Sequence, residues 1–159
     1  MDKLPYFNAR FGRSHNESAQ RQIGAVGAQD GIRFAWERGR TGLSTDSHRL
    51  IWLASTKGSE VADKAVTAVY KGYFEEEGDI TDRQFLVECG VQAGMEKSEV
   101  ETFLRSGRGK EEVEMLAEEA RMGGVNGVPS FQINGQYHLE GAREMEAFEN
   151  VFERVARVG

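Results

Sequence analysis

The sequence predicts an α-rich α/β protein, and three observations carry that prediction. Apolar residues recur at helical spacing from Ser44 to Met122, cut by glycines into separate segments. The period then changes from 3.6 to 2 on either side of Asn134-Gly135. A last amphipathic segment follows at about Glu144 to Arg157, with Met145, Phe148, Val151, Phe152 and Val155 as its stripe.

In chain order, the first dozen residues read as an irregular lead-in, and Ser14 to Asp30 as a helix with Ile23 and Val26 apolar. Ile32, Phe34 and Trp36 alternate, which suits a short extended piece, and Arg38 to Leu43 reads as a loop. Ser44 or Thr45 caps a helix carrying Leu50, Ile51, Leu53 and Ala54. Ser59 opens another, with Ala62, Ala65, Val66, Val69 and Tyr73 on one face, ending in the acidic turn Glu75-Glu76-Glu77-Gly78. Thr81 with Gln84 and Ser98 with Glu101 have capping-box spacing and open two further helices. The first of these carries Phe85, Leu86, Cys89 and Ala93, the second Val100, Phe103 and Leu104. A helix from Lys110 to Met122 is expected to turn Val113, Leu116, Ala117 and Ala120 inward.

Ser130 to Ile133 and Gln136 to Leu139 flank Asn134-Gly135, the residues that a type I′ hairpin turn demands because both central positions need positive φ. A two-residue loop pairs Ile133 with Gln136 and Phe131 with His138. That register puts Phe131 and Ile133 on one face and Tyr137 and Leu139 on the other, which implies a sheet covered on both sides.

The chain of 159 residues carries a net charge of −6, which gives no global basic footprint for nucleic acid. No apolar run reaches the length of a membrane helix, and the start, Met1 to Pro5, lacks a signal-peptide core. One cysteine, Cys89, rules out an intrachain disulfide and makes a cytoplasmic, reducing compartment the expectation. Cys89 lies on the apolar stripe of its helix and reads as a buried structural thiol. His15, His48 and His138 lack metal-ligand spacing, so no metal site is expected. Gly107-Arg108-Gly109-Lys110 lacks P-loop spacing and reads as an interhelical loop.

The most informative stretch is Gly124-Val125-Asn126-Gly127-Val128-Pro129-Ser130-Phe131. It joins a helix to a strand, with Pro129 where a residue lacking an N–H belongs. A helix, Gly-Val-x-Gly-Val-Pro, a strand, Asn-Gly, a strand, Gly-Ala and an amphipathic helix together resemble the C-terminal half of a thioredoxin fold. The arrangement looks most like the DsbA-like family that includes FrnE-type proteins and, more distantly, glutathione transferase kappa. Ser44-Thr45-Asp46-Ser47-His48-Arg49-Leu50-Ile51 resembles that family's Asn-Thr-x-x-(Ala/Ser)-His-Arg-Leu, with Ser in place of Asn. Tyr73-Phe74 followed by Gly78-Asp79-Ile80 resembles its Tyr-Phe…Asp-Ile turn, and Gly141-Ala142-Arg143 stands for Gly-Ala-Gln.

The resemblance implies a partial thioredoxin-like fold with an inserted helical domain: a lead-in over 1–43, a helical insert over 44–107 and the C-terminal part of the thioredoxin-like domain over 108–159. It implies a thiol–disulfide oxidoreductase family whose cis-Pro loop holds a thiol or disulfide substrate, a peptide or glutathione. Val128, Pro129 and Ser130 are then the substrate-binding residues, with Ser44 and His48 at the cleft and no cofactor beyond glutathione as substrate or ligand. Family members begin with a strand, a Cys-x-x-Cys or related turn and a second strand, and this sequence starts downstream of all three. The expectation is therefore an N-terminally truncated chain, inactive alone, arising from a gene model begun at an internal Met, a cloning boundary or a natural truncation. The alternatives are a glutathione-dependent isomerase or transferase of the kappa type, or a non-catalytic binding fragment. The strand from Ser130 would be left with an open edge, to be covered by Asp2 to Ala9 or Ile32 to Trp36, or else by a second copy in a homodimer.

Overall fold

The computed structural model of the chain describes residues 1–158, the last of them by its backbone alone. It forms two compact units, Met1–Val113 and Glu114–Gly159. The first contains α1 (Lys3–Phe11), α2 (Arg13–Gln29), α3 (Thr45–Ser55), α4 (Ser59–Phe74), α5 (Arg83–Gln92) and α6 (Lys97–Arg105). The second contains most of α7 (Lys110–Met122), then β1 (Ser130–Ile133), β2 (Tyr137–Glu140) and α8 (Met145–Val158).

The core of the first unit is the set of apolar stripes that the sequence marks on α3 to α6. Leu50, Leu86, Val100, Phe103 and Leu104 are fully enclosed, together with Ala54, Ala65 and Cys89. Phe85 reaches into this layer between two glycines. A Cβ on Gly72 or on Gly78 would stand 2.5 Å from its ring. In an open helix Gly→Ala stabilises by about 1 kcal/mol, but overpacking costs about 1–3 kcal/mol. We therefore expect Gly72→Ala to lower stability by roughly 1 kcal/mol in chemical denaturation. An unchanged or raised midpoint would mean that the Phe85 ring has room to move.

Two capping boxes expected from the sequence are absent, for local reasons. Asp79 accepts from both the Thr81 hydroxyl and its backbone N–H, at 2.6 and 2.8 Å, so Thr81 is already used. Asp82 takes the N-cap of α5 and accepts from Gln84 N–H at 2.9 Å. At α6 the helix starts before Ser98, with Glu96 at the N-cap. Met95, just before that cap, and Val100, four residues into the helix, are both buried, so a hydrophobic staple sets the start instead. Ser44 does occupy the N-cap position of α3 but accepts no bond through its side chain. Its carbonyl instead takes the Ser47 hydroxyl at 2.7 Å and the His48 N–H at 3.0 Å.

The lead-in is more ordered than its sequence suggests. Lys3 to Phe11 is helical, and it packs on α2 as a helical hairpin. Lys3 is buried, donates to the Tyr73 carbonyl and places its ammonium 3.7 Å from the centre of the Tyr73 ring. The Tyr73 hydroxyl in turn donates to Thr41 Oγ1 at 2.9 Å. Burial lowers the Lys3 pKa, opposed by Glu77 and Asp79, and burial raises that of Tyr73. The 32–36 segment forms no strand. Phe34 and Trp36 pack on Phe74, and Ala35 N–H donates to the Phe74 carbonyl at 2.8 Å. The acidic turn has a structural use: Glu75 and Glu77 accept from the backbone N–H groups of Arg33 and Arg38.

Arg49, from the Ser-His-Arg-Leu stretch, is 4% exposed and closes the far end of α6. Its guanidinium donates to the carbonyls of Phe103, Ser106 and Arg108 and to Asp46 at 2.6–3.0 Å. A cation there also opposes the negative end of the helix dipole.

In the second unit the hairpin register differs by one residue from the sequence expectation. The partners are Ser130↔Glu140, Phe131↔Leu139, Gln132↔His138 and Ile133↔Tyr137. Asn134 and Gly135 do take positive φ, 52° and 67°, and Gln136 N–H donates to the Ile133 carbonyl at 3.2 Å. Gln136 is left out of the ladder, so the loop has one residue more than the two expected. A one-residue slip inverts every facing relation on a strand. Phe131, Ile133, Tyr137 and Leu139 thus share one face, and Ser130, Gln132, His138 and Glu140 the other. The sheet is therefore one-sided: Phe148 of α8 meets Phe131 edge-on at 4.9 Å, and the polar face needs no cover. Among the described residues of this unit, Val151 is the buried hydrophobic one. No residue of α7 is buried, and Leu116, expected inward, is 52% exposed. A unit this small leaves most of its amphipathic surface uncovered.

Candidate functional site

Residues 123–130 form the junction between α7 and β1, and each turn in it has an identifiable cause. Gly124, at φ 89°, ends α7 in a Schellman arrangement. Its N–H donates to the Arg121 carbonyl at 3.0 Å, and Val125 N–H donates to the Ala120 carbonyl at 3.0 Å. Glycine is the residue that adopts this φ without strain. The Asn126 amide then folds back to the Gly124 carbonyl at 2.9 Å. The Val128–Pro129 peptide is cis, and Val128 is 90% exposed.

The next contact settles which backbone groups are free. Gly141 N–H donates to the Pro129 carbonyl at 2.8 Å, so Pro129/Gly141 is a hydrogen-bonded pair. By the alternation of an antiparallel ladder, Phe131/Leu139 and Ile133/Tyr137 are hydrogen-bonded pairs as well. Ser130 and Gln132 accordingly turn their N–H and C=O groups away from β2. Among the described residues the sheet has two strands, β1 and β2, so that edge is unpaired. Neither 2–9 nor 32–36 supplies the third strand, since the former lies largely in α1 and the latter has no ladder.

Val128 and Pro129 are exposed and Ser130 is half-buried, with the outward N–H and C=O of Ser130 on the edge without a strand partner. Ser44 and His48 belong to the other unit, where they share the first turn of α3 with Ser44 half-buried and the His48 imidazole exposed. The strand start and the hairpin turn are legible in the Pro and Asn-Gly signals and the open edge is implied by the family resemblance, but the Gly141–Pro129 bond that defines the edge has no signature in sequence. The 124–130 stretch contains no Cys, His, Lys, Asp or Glu, and Ser130 has its hydroxyl beside none of them in sequence. Among the described residues no cluster of His, Cys, Asp or Glu is arranged to hold a metal, and no helix is long and apolar enough to cross a membrane.

Cys89, the one cysteine, is elsewhere. It is 2% exposed in the core of the first unit. Burial, aided by Glu88 and Glu76, pushes its thiol up to about 11.

The sequence matches the profile of the DSBA-like thioredoxin domain over residues 13–153. The structure is similar to the crystal structure of a probable DsbA oxidoreductase from Streptomyces coelicolor, with a TM-score of 0.87 and 28% identity. That similarity covers 97% of this chain and 67% of the other. No curated protein matches the sequence. A helical unit, an α–β–β–α unit with a Val-Pro loop between helix and strand, and a profile match spanning most of the chain agree with one another: this chain belongs to the DSBA-like thioredoxin family.

Proposed function

We propose that this chain is a substrate-holding member of the thiol–disulfide oxidoreductase family that does not exchange disulfides on its own. The observation that carries the reading is the state of its single thiol. Disulfide exchange requires a thiolate, and resolving the mixed disulfide within one protein requires a second cysteine. Cys89 is enclosed, held protonated and alone. The Val128–Pro129–Ser130 run supports the binding half of the proposal. Exposed backbone beside an unpaired strand edge suits an extended peptide carrying a thiol or disulfide, or the peptide-like backbone of glutathione, through main-chain hydrogen bonds. The single buried cysteine suits a reducing, cytoplasmic setting.

The binding half is tested by titrating the labelled protein with a cysteine-containing peptide, and separately with oxidised glutathione, while following backbone amides by NMR. Shifts concentrated at Val128, Ser130 and Gln132 are expected, and Ser130→Pro should abolish them by removing an outward N–H. Shifts centred elsewhere, or none at millimolar ligand, would reject it.

A further inference from the structure

We infer that Asn126-Gly127, in the junction between α7 and β1, is a self-modifying site. Its asparagine loses ammonia through a cyclic imide and becomes aspartate or isoaspartate, while the fold shields the other Asn-Gly pair, Asn134-Gly135. The conversion needs no ligand and does not rest on the substrate reading.

The chemistry is a ring closure within the chain. The Gly127 backbone nitrogen gives its proton to solvent hydroxide and attacks Cγ of the Asn126 side chain. The N–Cγ bond forms, the Cγ–Nδ2 bond breaks, and the side-chain nitrogen leaves as ammonia. The five-membered imide then takes up one water at either carbonyl. One opening gives aspartate, and the other gives isoaspartate, with the chain running through the former side chain. Nothing is oxidised or reduced. A following glycine favours the reaction because it has no Cβ to crowd the attacking nitrogen.

The sequence contains two such pairs, and the backbone separates them. Ring closure needs the following nitrogen on the same side of the Cα–C bond as Cβ. Asn134 has φ 52°, in the left-handed region where ψ is about +30 to +60°. There the Gly135 nitrogen lies opposite Cβ, out of reach of the side chain. The Gln136 N–H bond to the Ile133 carbonyl at 3.2 Å closes this turn, and the β1–β2 ladder holds its ends. Asn134 therefore reacts only after the hairpin tip opens. Asn126 lies outside the left-handed region and in no helix or strand. Among the described residues, the Gly127 N–H has no hydrogen-bond acceptor. What holds the Asn126 side chain is one exposed bond, from its amide to the Gly124 carbonyl at 2.9 Å.

The product undoes that bond. An amide donates to a carbonyl, whereas a carboxylate only accepts, so the new group repels the Gly124 carbonyl. Conversion thus loosens the bend that leads into Val128 and puts a negative charge beside it, and isoaspartate also lengthens the backbone by a methylene.

The test is to age the full chain in mildly alkaline buffer and map the products by mass spectrometry. Both asparagines fall in the tryptic peptide 122–143, where fragmentation tells them apart. In the native protein Asn126 is expected to convert about tenfold or more faster than Asn134, which must first break its turn. In urea, where no turn survives, the two rates should be similar. Gly127→Ala supplies the variant. Gly127 is outside the left-handed region, and a Cβ there meets nothing within 4 Å, so the fold is kept. The added methyl should slow conversion at Asn126 severalfold and leave Asn134 unchanged. Three results overturn the proposal: equal rates at Asn126 and Asn134 in the native chain, a native Asn126 that stays intact while the urea-unfolded chain converts, or an Asn126 rate indifferent to Gly127→Ala.

Discussion

Arg49→Ala is expected to be among the most damaging single substitutions in the helical unit. Arg49 is 4% exposed and satisfies three carbonyls at the end of α6 and the Asp46 carboxylate. Truncation leaves the Asp46 carboxylate and the Ser106 and Arg108 carbonyls without this donor, while the Phe103 carbonyl keeps its bonds from the Ser106 N–H and hydroxyl, and it removes a cation stacked 5.1 Å from the Phe103 ring. Breaking an arrangement of this kind costs about 3–5 kcal/mol, which for a chain of this size lowers Tm by roughly 10 °C. Arg49→Lys should recover only part of the loss, because a single ammonium cannot reproduce the planar fork that reaches several carbonyls at once. Arg105→Ala, at an exposed arginine whose nearest carboxylate is 3.8 Å away, is the control and should stay within about 0.5 kcal/mol. Urea denaturation of the three variants measures this. An Arg49→Ala loss no larger than that of Arg105→Ala would show the Ser106 and Arg108 carbonyls to be satisfied by water instead.

The Cys89 thiol is expected to react with alkylating reagents at neutral pH at least about a hundredfold more slowly than an ordinary exposed cysteine, since so little of it is thiolate. The pure protein should not catalyse insulin reduction. Its pH dependence has a definite sign. The folded state holds the thiol proton up to about 11, against an ordinary value of 9.0. The unfolded chain releases the proton first. The contribution is therefore fully present below about pH 9 and is lost as pH rises toward about 11, with a slope of about 1.4 kcal/mol per pH unit. Subtracting the stability profile of Cys89→Ala isolates this slope, and at neutral pH that variant should be about 1 kcal/mol less stable. Rapid native labelling, or insulin reduction that disappears in Cys89→Ser, would overturn both the buried placement and the proposed inability to exchange disulfides.

Much of this molecule was legible in its residues because the signals are local. Helices α3 to α8 follow from apolar spacing and glycine stops. Cys89 reads as core because it shares a stripe with Phe85 and Leu86. The positive φ of Asn134 and Gly135 follows from the side chains that tolerate it, and the DSBA-like family shows in the Gly-Val-x-Gly-Val-Pro approach to a strand.

What the residues could not settle are competitions decided across space. Thr81 has the spacing of a cap, but Asp79 takes its hydroxyl first, and only the folded turn shows it. Asn134-Gly135 specifies a turn, yet placing Gln136 in the loop or in the ladder depends on gathering Phe131, Ile133, Tyr137 and Leu139 on one face, where Phe131 meets Phe148 of α8. That one residue decides which face of the sheet is apolar. Arg49 looks like any surface arginine in sequence, because its partners at 103, 106 and 108 are more than fifty positions away. Sequence determines which groups want burial or a partner. Tertiary structure alone determines which of them find one, because each donor and each patch of apolar surface is satisfied once, by whichever neighbour the packing brings nearest.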